Sequence, residues 1–198
     1  MIAPPEESTL VVLPLPDIFD DPTAFHAITL PEFAGSIALD EDASVGLLYT
    51  TAVASDRLTI VEMEGAIADW TLRTVLVKAP IQAVFPAPDG EHAIVFMGQA
   101  AGSSMPGGYS VVPLGAMATV SDDAGINEVH VLRMPELSSD VIKLPSVPLA
   151  AGIVPETATS FVAQYHAEGR ITFVGLEGGE PRTLTGFELA EKVHDGSE

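Results

Sequence analysis

The chain has no cysteine and little positive charge: 8 Lys and Arg stand against 28 Asp and Glu, a formal net charge of −20 at pH 7. Without cysteine there is no disulfide framework, no thiolate metal site and no thiol nucleophile. Cations this few and unclustered are poorly suited to tracking a phosphate backbone, so no nucleic-acid partner is expected. An anionic membrane surface is disfavoured for the same reason. A cationic partner or a divalent ion suits the field better, and the acid also keeps an apolar chain soluble. Long apolar runs are missing as well. None approaches the roughly 18 residues a membrane helix needs, so no membrane insertion is expected. The opening "MIAPPEESTL" lacks the basic-then-apolar order of a secretory signal. Helical spacing is scarce, and the two short candidates are Ala66 to Leu72 and Phe187 to Val193.

What the chain does have is apolar and punctuated. Hydrophobic residues make up 47% of its 198 residues, enough for one domain with a sizeable core. They fall in short stretches rich in Val, Ile, Thr, Phe and Leu, such as "TLVVLPL", "VGLLYTT", "LTIVEME", "AIVFMG" and "ITFVGL", separated by Gly, Pro, Asp and Ser. The expected class is all-β.

The stretches also recur. "SIALDEDASVGLLYTT", "QAVFPAPDGEHAIVFMG" and "AGIVPETATSFVAQYH" share one form: an apolar run, a turn and a second apolar run. Each leads to a third strand ("DRLTIVEMEG", "NEVHVLRMPE", "GRITFVGLEG") and then a fourth ("TLRTVLV", "SSDVIKLP", "PRTLTGFEL"). Leu58, Val129 and Ile171 take equivalent places, the last two 42 residues apart. Without the insertion at 99–126, the first interval shrinks to about 43, the period of a four-stranded propeller blade. The expected organisation is a single domain of about three and a half antiparallel blades, a partial or open β-propeller. It comprises a half blade at 8–31, a blade at 33–79, a blade at 80–146 carrying the insertion, a blade at 147–190 and a tail at 191–198. A β-sandwich is the alternative fold, although it would not need the period.

At the Pro88-Asp89-Gly90 turn and the strands around it, the chain resembles the bacterial β-propeller repeat proteins of the YVTN and WD40-like type. It has no Gly-His…Trp-Asp pair, and the PDG turn stands in one copy of the three. The resemblance implies a propeller fold and an extracytoplasmic setting, periplasmic, secreted or at the cell surface. It implies no single activity, because propellers host binding proteins and enzymes alike.

Candidate chemistry is sparse. His26, His92, His130, His166 and His194 have neither the i,i+2 nor the i,i+4 spacing of a local zinc site, so solvated or hydrogen-bonded strand histidines are expected. The acidic turns at Asp40 and Asp42 and at Asp122 and Asp123 could offer oxygen ligands to calcium, the one cofactor considered. Acidic surface turns have the same composition. No G-x-S-x-G elbow occurs, and "GQAAGSSMPGG" lacks the Lys of a phosphate loop. The long insertion carries Met105, Tyr109, Val111, Leu114 and Met117, the expected contact if a protein partner is bound.

Two functions follow. One is a non-catalytic propeller-type binding or scaffolding module with a protein partner or self-association. The other is a calcium-dependent hydrolase of the propeller-lactonase kind, holding its ion with acidic or amide side chains from several inner strands. The equivalent inner positions, read as Ile37, Val84 and Ile153, are apolar, which favours the first.

Overall fold

The computed structural model describes residues 8–98, 127–154 and 157–186. Its strands are β1 (Ser8–Val12), β2 (His26–Leu30), β3 (Ser36–Leu39), β4 (Val45–Tyr49), β5 (Arg57–Glu62), β6 (Thr71–Leu76) and β7 (Ile81–Pro86). After these come β8 (His92–Met97), β9 (Glu128–Arg133), β10 (Ser138–Lys143), β11 (Pro148–Val154), β12 (Thr159–Gln164), β13 (Arg170–Gly175) and β14 (Arg182–Thr185). One helical turn, α1 (Asp17–Asp20), lies between β1 and β2. The short helical candidate at 66–72 resolves differently. Ile67–Asp69 form a single 3₁₀ turn, and Thr71 already begins β6, because β-branched Thr71, Thr74 and Val75 favour the pleated surface beside β5.

The strands build one two-stranded sheet, β1-β2, and three four-stranded sheets whose order follows the chain: β3-β4-β5-β6, β7-β8-β9-β10 and β11-β12-β13-β14. Every pairing is antiparallel. The class is all-β and propeller-like, as the repeat predicts.

Each sheet is apolar on both faces, so it must be covered twice, and the sheets do this by stacking in chain order. Leu47, Leu58, Ile60 and Val75 of the β3–β6 sheet meet Val84, Ala93, Val95 and Leu132 of the β7–β10 sheet. The opposite face of that second sheet, with Ile94, Phe96, Val129 and Val131, meets Val162 and Val174 of the third. Leu10 and Leu30 of the two-stranded sheet cover Leu48, Val61 and Leu72. First strands of successive sheets are neighbours, β3 against β7 and β7 against β11, so the sheets fan out from an inner line. This is a series of sheets rather than the two layers of a sandwich.

The hairpin turns explain why the Pro-Asp-Gly signature stands once. Gly90 adopts φ +66° in the β7–β8 turn. Ala43 in the β3–β4 turn and Ala158 before β12 take the same left-handed region, at φ 53° and 45°. The first two turns repeat one geometry, in which the left-handed residue donates its N–H to the carbonyl three residues back, Ala43 to Asp40 and Gly90 to Ala87, and glycine fills it in one of the two; in the third turn the left-handed residue falls one place later, at Ala158.

Candidate functional site

Among the described residues, equivalent positions in the stack are buried or half-buried according to whether a sheet follows them. Leu58, Val129 and Ile171 each stand second in the third strand of their sheet, and Ile60, Val131 and Phe173 each stand fourth. Leu58 and Ile60 face the second four-stranded sheet and Val129 and Val131 the third, and Ile171 and Phe173 stand on the corresponding face of the last sheet. The first two members of each series are completely buried. Ile171 and Phe173 are half-buried and join none of the three core clusters among the described residues. Phe161 lies directly opposite Phe173, and Leu184 opposite Ile171. The outer face of the last sheet is therefore built like an interior surface. The Phe161 ring also lies over Gly152, where a Cβ would come within 2.5 Å of it.

The other end of the stack is uncovered differently. Pairing through Leu48, Val95 and Val162 makes Ile37, Val84 and Ala151 the equivalent inner-strand residues. This corrects the sequence assignment of Ile153. Ile153 lies two residues further along on the same face, opposite Ser160, in the place that Leu39 and Pro86 hold in the preceding sheets. Val84 is 6% exposed, packed under the inner strands of the preceding sheet, whereas Ile37 is 48% and Leu39 46% exposed. The sheet before them has two strands and covers their outer neighbours instead. Beyond it, Val11, Leu13, Leu15, Phe19 and Phe25 are exposed around α1.

The acidic candidates divide. Asp40 is buried, and both of its oxygens are engaged inside its own turn: Ser44 Oγ donates to Oδ2 at 2.6 Å and the Val45 N–H to Oδ1 at 2.9 Å. Asp42 is exposed in the same turn. Gly90 of the neighbouring hairpin sits so close that a Cβ there would lie 3.0 Å from Asp40 Oδ2. Among the described residues, no group of three or more His, Asp or Glu is arranged to hold a metal. Asp122, Asp123, Met105, Tyr109, Val111, Leu114 and Met117 lie outside the described residues.

The histidines are local. His92 Nδ1 lies 2.8 Å from Asp89 Oδ2, in a turn where Asp89 Oδ1 also accepts the Glu91 and His92 N–H groups. Burial opposes the Asp89 carboxylate, but these hydrogen bonds and the His92 charge outweigh it and hold its pKa below the usual range. His166 Nδ1 accepts the Glu168 N–H at 3.2 Å, and His26 is exposed. His130 is buried in β9, with Nδ1 3.3 Å from Ser139 Oγ and Nε2 without a partner among the described residues.

Sequence reasoning missed the pattern behind that last residue. Thr59, His130 and Thr172 occupy one equivalent position, the third residue of the third strand, and all are buried. Thr59 Oγ1 reaches Thr74 Oγ1 at 3.4 Å, and Thr172 Oγ1 reaches Thr183 Oγ1 at 2.7 Å and accepts from Gln164. A polar slot thus crosses each sheet within its apolar face. The period of 42 between Thr172 and His130 was the available signal.

A stack of four-stranded antiparallel meanders, packed face to face around an inner line, defines a propeller-like all-β protein. No protein-family model matches the chain, and no curated protein does. Solved structures do match. A functionally unknown protein from Desulfotomaculum acetoxidans superposes with a TM-score of 0.50 and 13% identity, over 80% of this chain and 42% of that one. The acylaminoacyl peptidase of Pyrococcus horikoshii does so with a TM-score of 0.54 and 12% identity, over 90% of this chain and 28% of that one. The chain therefore spans less than half the length of either. At such identities the likeness is one of fold.

Proposed function

We propose that the chain is a non-catalytic, propeller-type binding or scaffolding module that holds protein on the uncovered ends of its stack. The observation that carries this reading is the outer face of the last sheet. Ile171, Phe173 and Phe161 are half-buried in places whose equivalents in the preceding sheets are core, and apolar surface of this kind is characteristic of a protein contact. The calcium-dependent hydrolase reading has less support, since Asp40 spends both oxygens on its own turn and the inner-strand equivalents Ile37, Val84 and Ala151 are apolar. The setting proposed, outside the cytoplasm, rests on the resemblance to propeller repeat proteins. The test is an assay of ester and lactone hydrolysis with calcium or chelator, alongside thermal unfolding under the same conditions. The expected result is no turnover and no calcium-dependent shift in Tm. Calcium-dependent turnover would overturn the binding role.

A further inference from the structure

His130 sits in the joint between two sheets with half of its hydrogen bonding unmade. It stands on the face of β9 that carries Leu132, and Leu132 belongs to the core shared with the β3–β6 sheet. The residue is buried, with Val95 of β8 and Val141 of β10 directly opposite it. Nδ1 has Ser139 Oγ at 3.3 Å, and Nε2 has no partner among the described residues. A neutral ring tolerates this, since Nδ1 can donate to the hydroxyl while Nε2 keeps a bare lone pair. A protonated ring does not. Both nitrogens then donate, and the Nε2 proton needs an acceptor inside a buried site.

Glu128 stands two residues back on the same face of the strand, and its charge already acts on the imidazole. Its carboxylate is engaged, because Lys78 Nζ donates to Oε1 at 2.6 Å. Lys78 is exposed in the 77–80 connection, which carries the chain from the β3–β6 sheet to the β7–β10 sheet. That connection also holds the end of β8, with the Gly98 N–H donating to Pro80 O at 2.7 Å. The other charges around the joint are paired or exposed. Arg73 and Glu62 pair with each other toward Pro135, whose carbonyl accepts from Arg73 Nη1. Lys143, opposite Glu128, is exposed, and so is Asp56, whose carbonyl accepts the Val77 N–H. Tyr49 of β4 borders the same core, and the facing residues of β7 and β8, Val84, Ala93 and Val95, are apolar.

We propose that Lys78, Glu128 and His130 form a proton-operated latch on the joint between the first two four-stranded sheets. With His130 neutral, Glu128 holds Lys78 and clamps the 77–80 connection to β9. When His130 takes up a proton from solvent, the Glu128 carboxylate accepts the Nε2–H and lets Lys78 go. The exchange is favourable because an exposed ion pair contributes little, whereas a buried charged donor left unpaired costs far more. Burial moves the proton uptake below the ordinary 6.5, with the Glu128 charge opposing and Lys78 assisting, so the latch opens on acidification beneath that value.

The test follows three side chains of the full chain by NMR from about pH 8 to pH 5, the span in which an imidazole changes charge. The His130 ring, the Glu128 carboxyl carbon and the Lys78 ammonium should shift with one midpoint. Below it the Lys78 ammonium protons should exchange with water about twofold to fivefold faster, as release of a weak pair requires. In His130→Gln the Glu128 and Lys78 steps should vanish. Lys78→Met frees Glu128 at every pH and should raise the His130 midpoint by roughly half a pH unit. It alters an exposed side chain, so it carries the test even if His130→Gln does not fold. Steps at Glu128 and Lys78 that survive in His130→Gln would overturn the latch. So would Lys78 protons that stay slow across the His130 titration, or a His130 midpoint unmoved or lowered in Lys78→Met. None of these readouts depends on what the ends of the stack bind, so the latch and the binding role can fail separately.

Discussion

At the scale of the residue, His130 is buried with Nε2 unpartnered among the described residues. It occupies a slot that Thr59 and Thr172 fill in the other sheets, and it is larger and titratable. Burial lowers its pKa from the ordinary 6.5, with the Glu128 charge opposing and Lys78 assisting. The neutral imidazole is the form that packs here. The stability it contributes is complete above the unfolded pKa and is lost as pH falls through the lower folded value. The urea midpoint should therefore fall on acidification from pH 7 into the range below 6.5. His130→Gln keeps a polar group in the slot and removes the titration, so its midpoint should fall less over the same range. Equal slopes for the two proteins would show that His130 is not the sensing group and leave the acid response to carboxylates such as Asp89.

At the scale of the element, the turns carry a testable inversion of sign. Ala43 stands at φ 53° in the β3–β4 turn, in the region Gly90 occupies in the next hairpin. Replacing alanine by glycine usually destabilises by about 0.5–1 kcal/mol, because the unfolded chain gains freedom. Here the left-handed backbone costs an alanine about 1–2 kcal/mol, so relief of strain should win. Ala43→Gly is expected to raise stability by about 0.5–1 kcal/mol, read as an increase in urea midpoint. A loss of that size would mean the turn accommodates alanine without strain.

The turns also mark how far the sequence could be read. The hairpin period was visible because strand residues repeat in type: Leu58, Val129 and Ile171 are all apolar and all stand second in their strands. The turn geometry was hidden where alanine replaced glycine, and the slot was hidden because threonine and histidine share no class. Inner-strand equivalence slipped by two at Ile153, since Ala151 and Ile153 share one face of β11 and alternation alone does not say which of the two matches Val84. The uncovered ends were legible as a count of strands. Which side chains they expose was not, because Ile37 and Val84 differ in their neighbours and not in their own chemistry.

At the scale of the whole molecule, apolar end faces and a large negative charge oppose each other. The Phe161 and Phe173 face favours contact, and a net charge of −20 on every copy resists it. Salt should decide between them, since the screening length shortens from about 10 Å at 0.1 M to about 3 Å at 1 M. Light scattering should give the 20.7 kDa monomer at low ionic strength and a rising mass as salt is added. Phe173→Glu should suppress that rise. A mass independent of salt, or a rise unaffected by Phe173→Glu, would remove the end face from the account. The salt bridges bear little on this balance. Arg57–Glu32, Arg73–Glu62 and Lys78–Glu128 are all partly exposed, and pairs of that kind contribute little to stability.

The most direct test of an open stack is residue-resolved hydrogen exchange on the free chain. Protection should be greatest in β8 and β9, whose sheet is covered on both faces, and should decline toward β1 and β2 at one end and β14 at the other. Uniform protection, with β1 as slow to exchange as β8 and β9, would mean that the ends are closed within the chain itself. It would contradict both the uncovered faces and the binding role built on them.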